Sequence, residues 1–93
     1  LPVGALAFPE APVTLEVALG YDAVKLFGER ARRVKPGFQI NETELAGILE
    51  ICRLVEGLPL GIELAAAWVR VMACVDIAQE IREISTSWRA RAP

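Results

Sequence analysis

Two cysteines, twelve carboxylates and no histidine define the chemistry that this 93-residue chain can attempt. Cys52 and Cys74 lie far apart and sit on or beside apolar helical faces, so both are expected to be buried, reduced thiols. Their spacing does not suit a zinc site, and there is no imidazole to complete one. Neither thiol has an activating base beside it in the sequence. The carboxylates fall mostly at outward helical positions, where solvated charge is the expected role. No Gly-x-x-x-x-Gly-Lys-[Ser/Thr] loop is present to cradle phosphates. The chain alone is therefore expected not to be an enzyme and not to hydrolyse a nucleotide.

Three features point to binding instead. Pro59 follows Gly57 and Leu58 and opens a new helix, which sets a rigid apolar ring beside the free N–H groups of a first helical turn. Glu63 and Arg70 fall on the same side of that helix and are candidates for an interdomain contact. Trp68 and Trp88 can anchor a partner, although a Trp on a central helix belongs to the core. The basic run Arg30, Arg32, Arg33 and Lys35 suits the last turn of a helix, where cations oppose the dipole, rather than a phosphate-binding patch.

The elements that must position these residues are helices. Hydrophobic residues make up 54% of the chain, mostly aliphatic side chains and Ala, and no strand pattern is found. Residues 1–13 carry Pro2, Pro9 and Pro12 and read as an extended connecting arm, with Val3, Leu6 and Phe8 laid against a surface. Thr14 is a candidate N-cap for a short helix ended by Gly20, and Asp22 for a second helix running to about Val34. That second helix aligns Ala23, Phe27, Ala31 and Val34 on one stripe, and Pro36-Gly37 stops it.

Asn41 and Glu44 match a capping box for a third helix, which would bury Leu45, Ile48, Leu49, Cys52 and Val55 and turn Gly47, Glu50 and Arg53 away. A fourth helix, from Pro59 to about Met72, is apolar over most of its circumference and reads as the centre of the bundle. A fifth follows Cys74 with Ile77, Ile81 and Ile84 inward and ends at Ser85-Thr86-Ser87, leaving residues 88–93 as an exit linker. The expected fold is an all-α compact bundle of about five helices over residues 14–87, preceded by a Pro-rich arm.

No run of eighteen apolar residues lacks a charge, so no membrane span is expected. The net charge of −2 gives no general affinity for nucleic acid. No secretory leader is visible, and a cytoplasmic location is expected. The chain starts at Leu1 rather than Met and reads as a piece of something longer.

The stretch from Asp22-Ala23-Val24-Lys25-Leu26-Phe27 to Arg70 resembles the small helical subdomain of STAND-class ATPases. This group includes the NB-ARC proteins, bacterial predicted ATPases and LuxR- or AfsR-like transcriptional regulators. The residues that carry the likeness are Glu50-Ile51-Cys52-Arg53, Gly57-Leu58-Pro59-Leu60 and Glu63-Leu64-Ala65-Ala66-Ala67. Gly61 departs from the usual Ala, at a helix cost of about 1 kcal/mol, and Ala73-Cys74 replaces the usual Ser start of the last helix.

The resemblance implies a non-catalytic lid that closes over ADP or ATP held with Mg²⁺ by a P-loop domain in cis. It places Pro59 beside the adenine, with Leu58 and Leu60 as neighbours. It implies a slow ATPase as the parent protein, a winged-helix segment in cis after residue 93, and a possible homo-oligomer of the parent. No nucleotide is expected to bind the 93 residues alone. A free-standing helical protein–protein interaction module, docking through its apolar arm, is the alternative. A helix-turn-helix reader is disfavoured, because the fourth helix offers little to a base edge except Glu63 and Arg70.

Overall fold

A computed structural model describes residues 5–91, with side chains through Ile84. Its helices are α1 (Leu15–Ala18), α2 (Asp22–Val34), α3 (Glu42–Leu54), α4 (Pro59–Ala66) and α5 (Cys74–Arg91), with a 3-10 turn at Ala67–Arg70 between the last two. No strand occurs among the described residues. The all-α bundle of five helices expected from the sequence is what forms.

Helix starts follow local chemistry. Thr14 Oγ1 accepts from the Val17 N–H at 3.3 Å, and Asn41 Oδ1 accepts from the Glu44 N–H at 3.0 Å. Asp22 does not cap α2. It is the first helical residue, Tyr21 stands at the N-cap without a side-chain bond, and the carboxylate sits in the first turn, where the dipole favours it. The α2–α3 connection bends at Lys35-Pro36-Gly37-Phe38, where the Phe38 N–H donates to the Lys35 carbonyl at 2.9 Å. That turn returns Phe38 to the core, with its ring centroid 6.1 Å from that of Phe27.

The core joins two helix pairs. α3 runs against α5, and α2 runs against α4 and the 3-10 turn. Phe27, Ile48, Ile51, Cys52, Ile62 and Cys74 are fully buried where the pairs meet. Ile51 belongs to this core in addition to the stripe read from the sequence. Gly47 does not face away. It is buried at the crossing of α3 with the start of α5, and a Cβ there would lie 2.4 Å from the Val75 nitrogen. Only a residue without a side chain lets the two helices approach this closely.

Glu44 has a role that its place in a capping box did not suggest. Its Oε1 accepts from the Cys74 N–H at 3.3 Å, so α3 supplies the cap for α5. The weak Ala73-Cys74 start is compensated from thirty residues away in sequence. Further along the same pair of helices, Glu50 bridges Arg53 on its own helix and Arg82 on α5. These two side-chain hydrogen bonds, to Arg53 first and then Arg82, hold the Glu50 carboxyl below its usual range.

Two helix ends differ from the sequence reading. α4 gives way at Ala66 to the 3-10 turn, whose end is closed by Val71 and Met72 N–H groups that both donate to the Trp68 carbonyl at 3.0 Å. α5 continues through Ser85-Thr86-Ser87 to Arg91, because helix formers Arg89, Ala90 and Arg91 follow the short polar run. The side chain of Trp88 lies outside the described residues, as does Val3 of the arm.

Candidate functional site

The corner between α3 and α4 is built from two consecutive residues in the left-handed region, Glu56 at φ 55° and Gly57 at φ 70°. The Gly57 N–H donates to the Cys52 carbonyl at 3.0 Å and the Glu56 N–H to the Arg53 carbonyl at 3.1 Å. This paired closure is a Schellman motif. Its left-handed C′ position is occupied by Glu56, so the glycine stands one place later than a simple Gly stop would put it.

Gly57 is needed at that later place for another reason. The arm crosses it, and the Leu6 N–H donates to the Gly57 carbonyl at 2.8 Å. A Cβ on Gly57 would fall 2.2 Å from the Leu6 oxygen and 3.0 Å from the Phe8 ring. The Ala23 N–H then donates to the Ala7 carbonyl at 3.2 Å, tying the arm to α2 as well. Leu6 and Phe8 pack on the core as expected, and Pro9 is buried.

Beyond Gly57 the chain is extended at Leu58 (φ −71°, ψ 124°), as the residue before a proline must be, and Pro59 occupies the first turn of α4. Pro59 is half-buried, whereas Leu58 is 41% and Leu60 69% exposed. The corner thus offers one rigid ring and two aliphatic side chains, and the bundle leaves much of this surface uncovered. Gly61, one residue further, fits closely over Val55: an added Cβ would meet the Val55 Cβ at 2.8 Å. Close packing of α4 on the end of α3 explains the Gly at this position.

Glu63 and Arg70 do not form a joint site. Arg30 Nε lies 3.6 Å from Glu63 Oε1, an ion pair longer than a hydrogen bond, and that buried nitrogen has no other partner. Arg30 therefore ties α2 to α4 in addition to any dipole effect, while Arg33 pairs with Glu29 on the surface. Arg70 is exposed at the end of the 3-10 turn and makes no ion pair with another described residue.

The sequence reading missed the exposed side of α4, and Ile84 of α5, expected inward, is 69% exposed. Leu60, Leu64, Trp68 and Val71 are 69%, 60%, 55% and 73% exposed, and their four- and three-residue spacing makes one stripe. Neither α4 nor Trp68 is in the centre of the bundle. Only the opposite face, with Ile62, Ala65, Ala66 and Val69, is buried. The signal was present in the size difference, because small Ala residues mark the packed side and large residues the open one.

Both thiols are buried and free, and desolvation pushes each to about 12. They are inert as nucleophiles at neutral pH. No group of three potential metal ligands occurs among the described residues. No helix of the described residues is long and apolar enough to cross a membrane.

The chain is similar to segments of much longer proteins. It is 53% identical over 57 residues, 61% of its length, to a Mycobacterium tuberculosis protein provisionally named an HTH-type transcriptional regulator, and the match covers 6% of that relative. The Mycobacterium bovis counterpart matches equally. An uncharacterized Mycobacterium tuberculosis protein is 46% identical over 61 residues, which is 66% of this chain and 16% of the relative. No protein-family model matches. No solved structure matches.

Proposed function

We propose that the bundle is the non-catalytic helical lid of a nucleotide-dependent transcriptional regulator. The single observation that carries this reading is the pinned corner, where Pro59 stands between two exposed leucines on a turn that the arm holds in place. Its similarity to a small part of a named regulator supports a module inside a longer chain. These residues fit an apolar contact with a flat ring: Pro59 supplies a fixed face, and Leu58 and Leu60 exclude water at its sides.

In this reading a P-loop domain in cis holds the phosphates and Mg²⁺, which supply whatever slow hydrolysis the parent performs. Pro59 packs against the adenine, and its two neighbours cover the edges. The arm enters from the nucleotide-binding side and crosses Gly57, so a shift of the corner moves the arm with it. Nucleotide state is then relayed through the bundle to a winged-helix segment beyond residue 93, in a parent that works in the cytoplasm and can oligomerise. The bundle itself contacts neither membrane nor nucleic acid. The exposed face of α4 carries Leu60, Leu64 and Trp68, which offer no amide or guanidinium to a base edge.

A Pro59→Ala variant of the full natural polypeptide tests the assignment. ADP affinity is expected to fall several-fold while the circular dichroism spectrum stays unchanged. Unchanged affinity in the folded variant removes Pro59 from the site. A second reading, a free-standing interaction module with no nucleotide domain in cis, is favoured by the exposed stripe from Leu60 to Val71. Full ADP occupancy of the natural polypeptide would count against it.

A further inference from the structure

Beside the corner, α4 and α5 leave an apolar groove. Leu64 and Trp68 form one wall, Ile81 and Ile84 the other, and Met72 and Ile77 lie among its lining residues. It encloses about 280 Å³. That is below the roughly 300 Å³ at which pockets for small molecules begin. It is enough for one or two side chains of a docked segment, as when a helix lays its apolar stripe into a groove.

Among the described side chains, the charges along its outer α5 edge are of one sign. Asp76, Glu80 and Glu83 are all exposed on α5 at the same four- and three-residue spacing as Ile77, Ile81 and Ile84, one position offset. They form an acidic edge along the apolar wall, and Glu80 itself lines the groove. Among the described side chains of α5, the basic Arg82 is turned to Glu50 of α3. On the α4 side no wall residue is charged, and Arg70 is not among the lining residues.

We propose that this groove binds an amphipathic helix of another protein, with a leucine-type anchor seated between Leu64, Trp68 and Ile84 and Lys or Arg residues facing Asp76, Glu80 and Glu83. Complementary charge fixes which way the helix lies and speeds its encounter, while the buried anchor holds it. The proposal does not depend on the nucleotide reading, because no residue of the Leu58-Pro59-Leu60 tip takes part.

The test uses the 93-residue chain and two labelled fifteen-residue helical peptides, one of Leu and Lys and one of Leu and Glu in the same amphipathic pattern. Fluorescence anisotropy should show saturable binding of the Leu/Lys peptide and at least ten-fold weaker binding of the Leu/Glu peptide. Leu64→Gln should cost the Leu/Lys peptide ten-fold or more. The double variant Glu80→Lys, Glu83→Lys should reverse the preference between the peptides. Circular dichroism checks that each variant is folded, which exposed positions favour. No saturable binding, binding that ignores Leu64→Gln in the folded variant, or indifference to the charge reversal overturns the proposal. So does dimerisation of the chain that Leu64→Gln abolishes, since the groove would then hold a second copy.

Discussion

The two ends of the α4 surface are finished differently. At the Gly57 end the chain covers its own turn: the arm crosses the glycine, hydrogen-bonds it and lays Leu6 and Phe8 over the core. At the Trp68 end nothing described covers the apolar stripe, and the groove beside α5 stays open. A small bundle buries limited area, so the surface it leaves uncovered is informative. The closed end fixes a shape, and the open end leaves apolar side chains in solvent.

The largest effect that would sharpen this contrast lies within a single helix. Ile62, fully buried, and Leu64, largely exposed, are two residues apart on α4. Ile62→Ala should destabilise the fold by about 2–5 kcal/mol, and Leu64→Ala by less than about 0.5 kcal/mol, both read from urea unfolding. Equal losses would mean that the stripe is covered in solution.

Gly57→Ala comes next, at about 2 kcal/mol, from left-handed strain plus a Cβ that the Leu6 oxygen leaves no room for. Hydrogen exchange at the Leu6 amide should accelerate along with it. A full loss of stability without faster exchange there would separate the turn from the arm.

The neighbouring position should respond in the opposite direction. Glu56 carries the left-handed strain with an exposed side chain, so Glu56→Gly is expected to stabilise by up to about 1 kcal/mol. A destabilised Glu56→Gly variant would show that the Glu side chain contributes more than its backbone strain removes.

Much of this organisation was legible in the sequence, and the reasons for the misses are physical. The helices, the Asn41 cap and the arm contacts of Leu6 and Phe8 followed from short-range chemistry. Glu44 was expected to serve its own helix, yet it caps α5, a choice set by how closely Gly47 lets that helix approach. Trp68 read as core because periodicity counts apolar residues without saying how many neighbours exist to cover them. Pro59, Leu58 and Leu60 were singled out from the sequence, and the structure shows how the corner presents them. The groove needed the positions of two helices and could not be seen in either one.

The smallest predicted effect concerns the hold between α3 and α5 on the side away from the groove. The Glu50 carboxyl is held below its usual 4.5 by Arg53 and Arg82. Its folded pKa is lower than its unfolded one, so its contribution is present above about pH 4.5 and is lost as pH falls through the lower folded value. Glu50→Gln should therefore flatten the acid limb of stability below pH 4.5 and leave the neutral-to-alkaline part unchanged in shape. The effect should be modest and salt-sensitive, since the pairs are partly solvated. A variant with an unaltered acid limb would show that the pairs add nothing to stability.

The most direct test of the lid reading is the nucleotide content of the full natural polypeptide as purified, released by denaturation and quantified on ion exchange. Close to one ADP per chain is the predicted result, with Pro59→Ala lowering retention. A polypeptide that comes out empty and does not take up added ADP would contradict the reading and leave the open α4–α5 surface as the functional one.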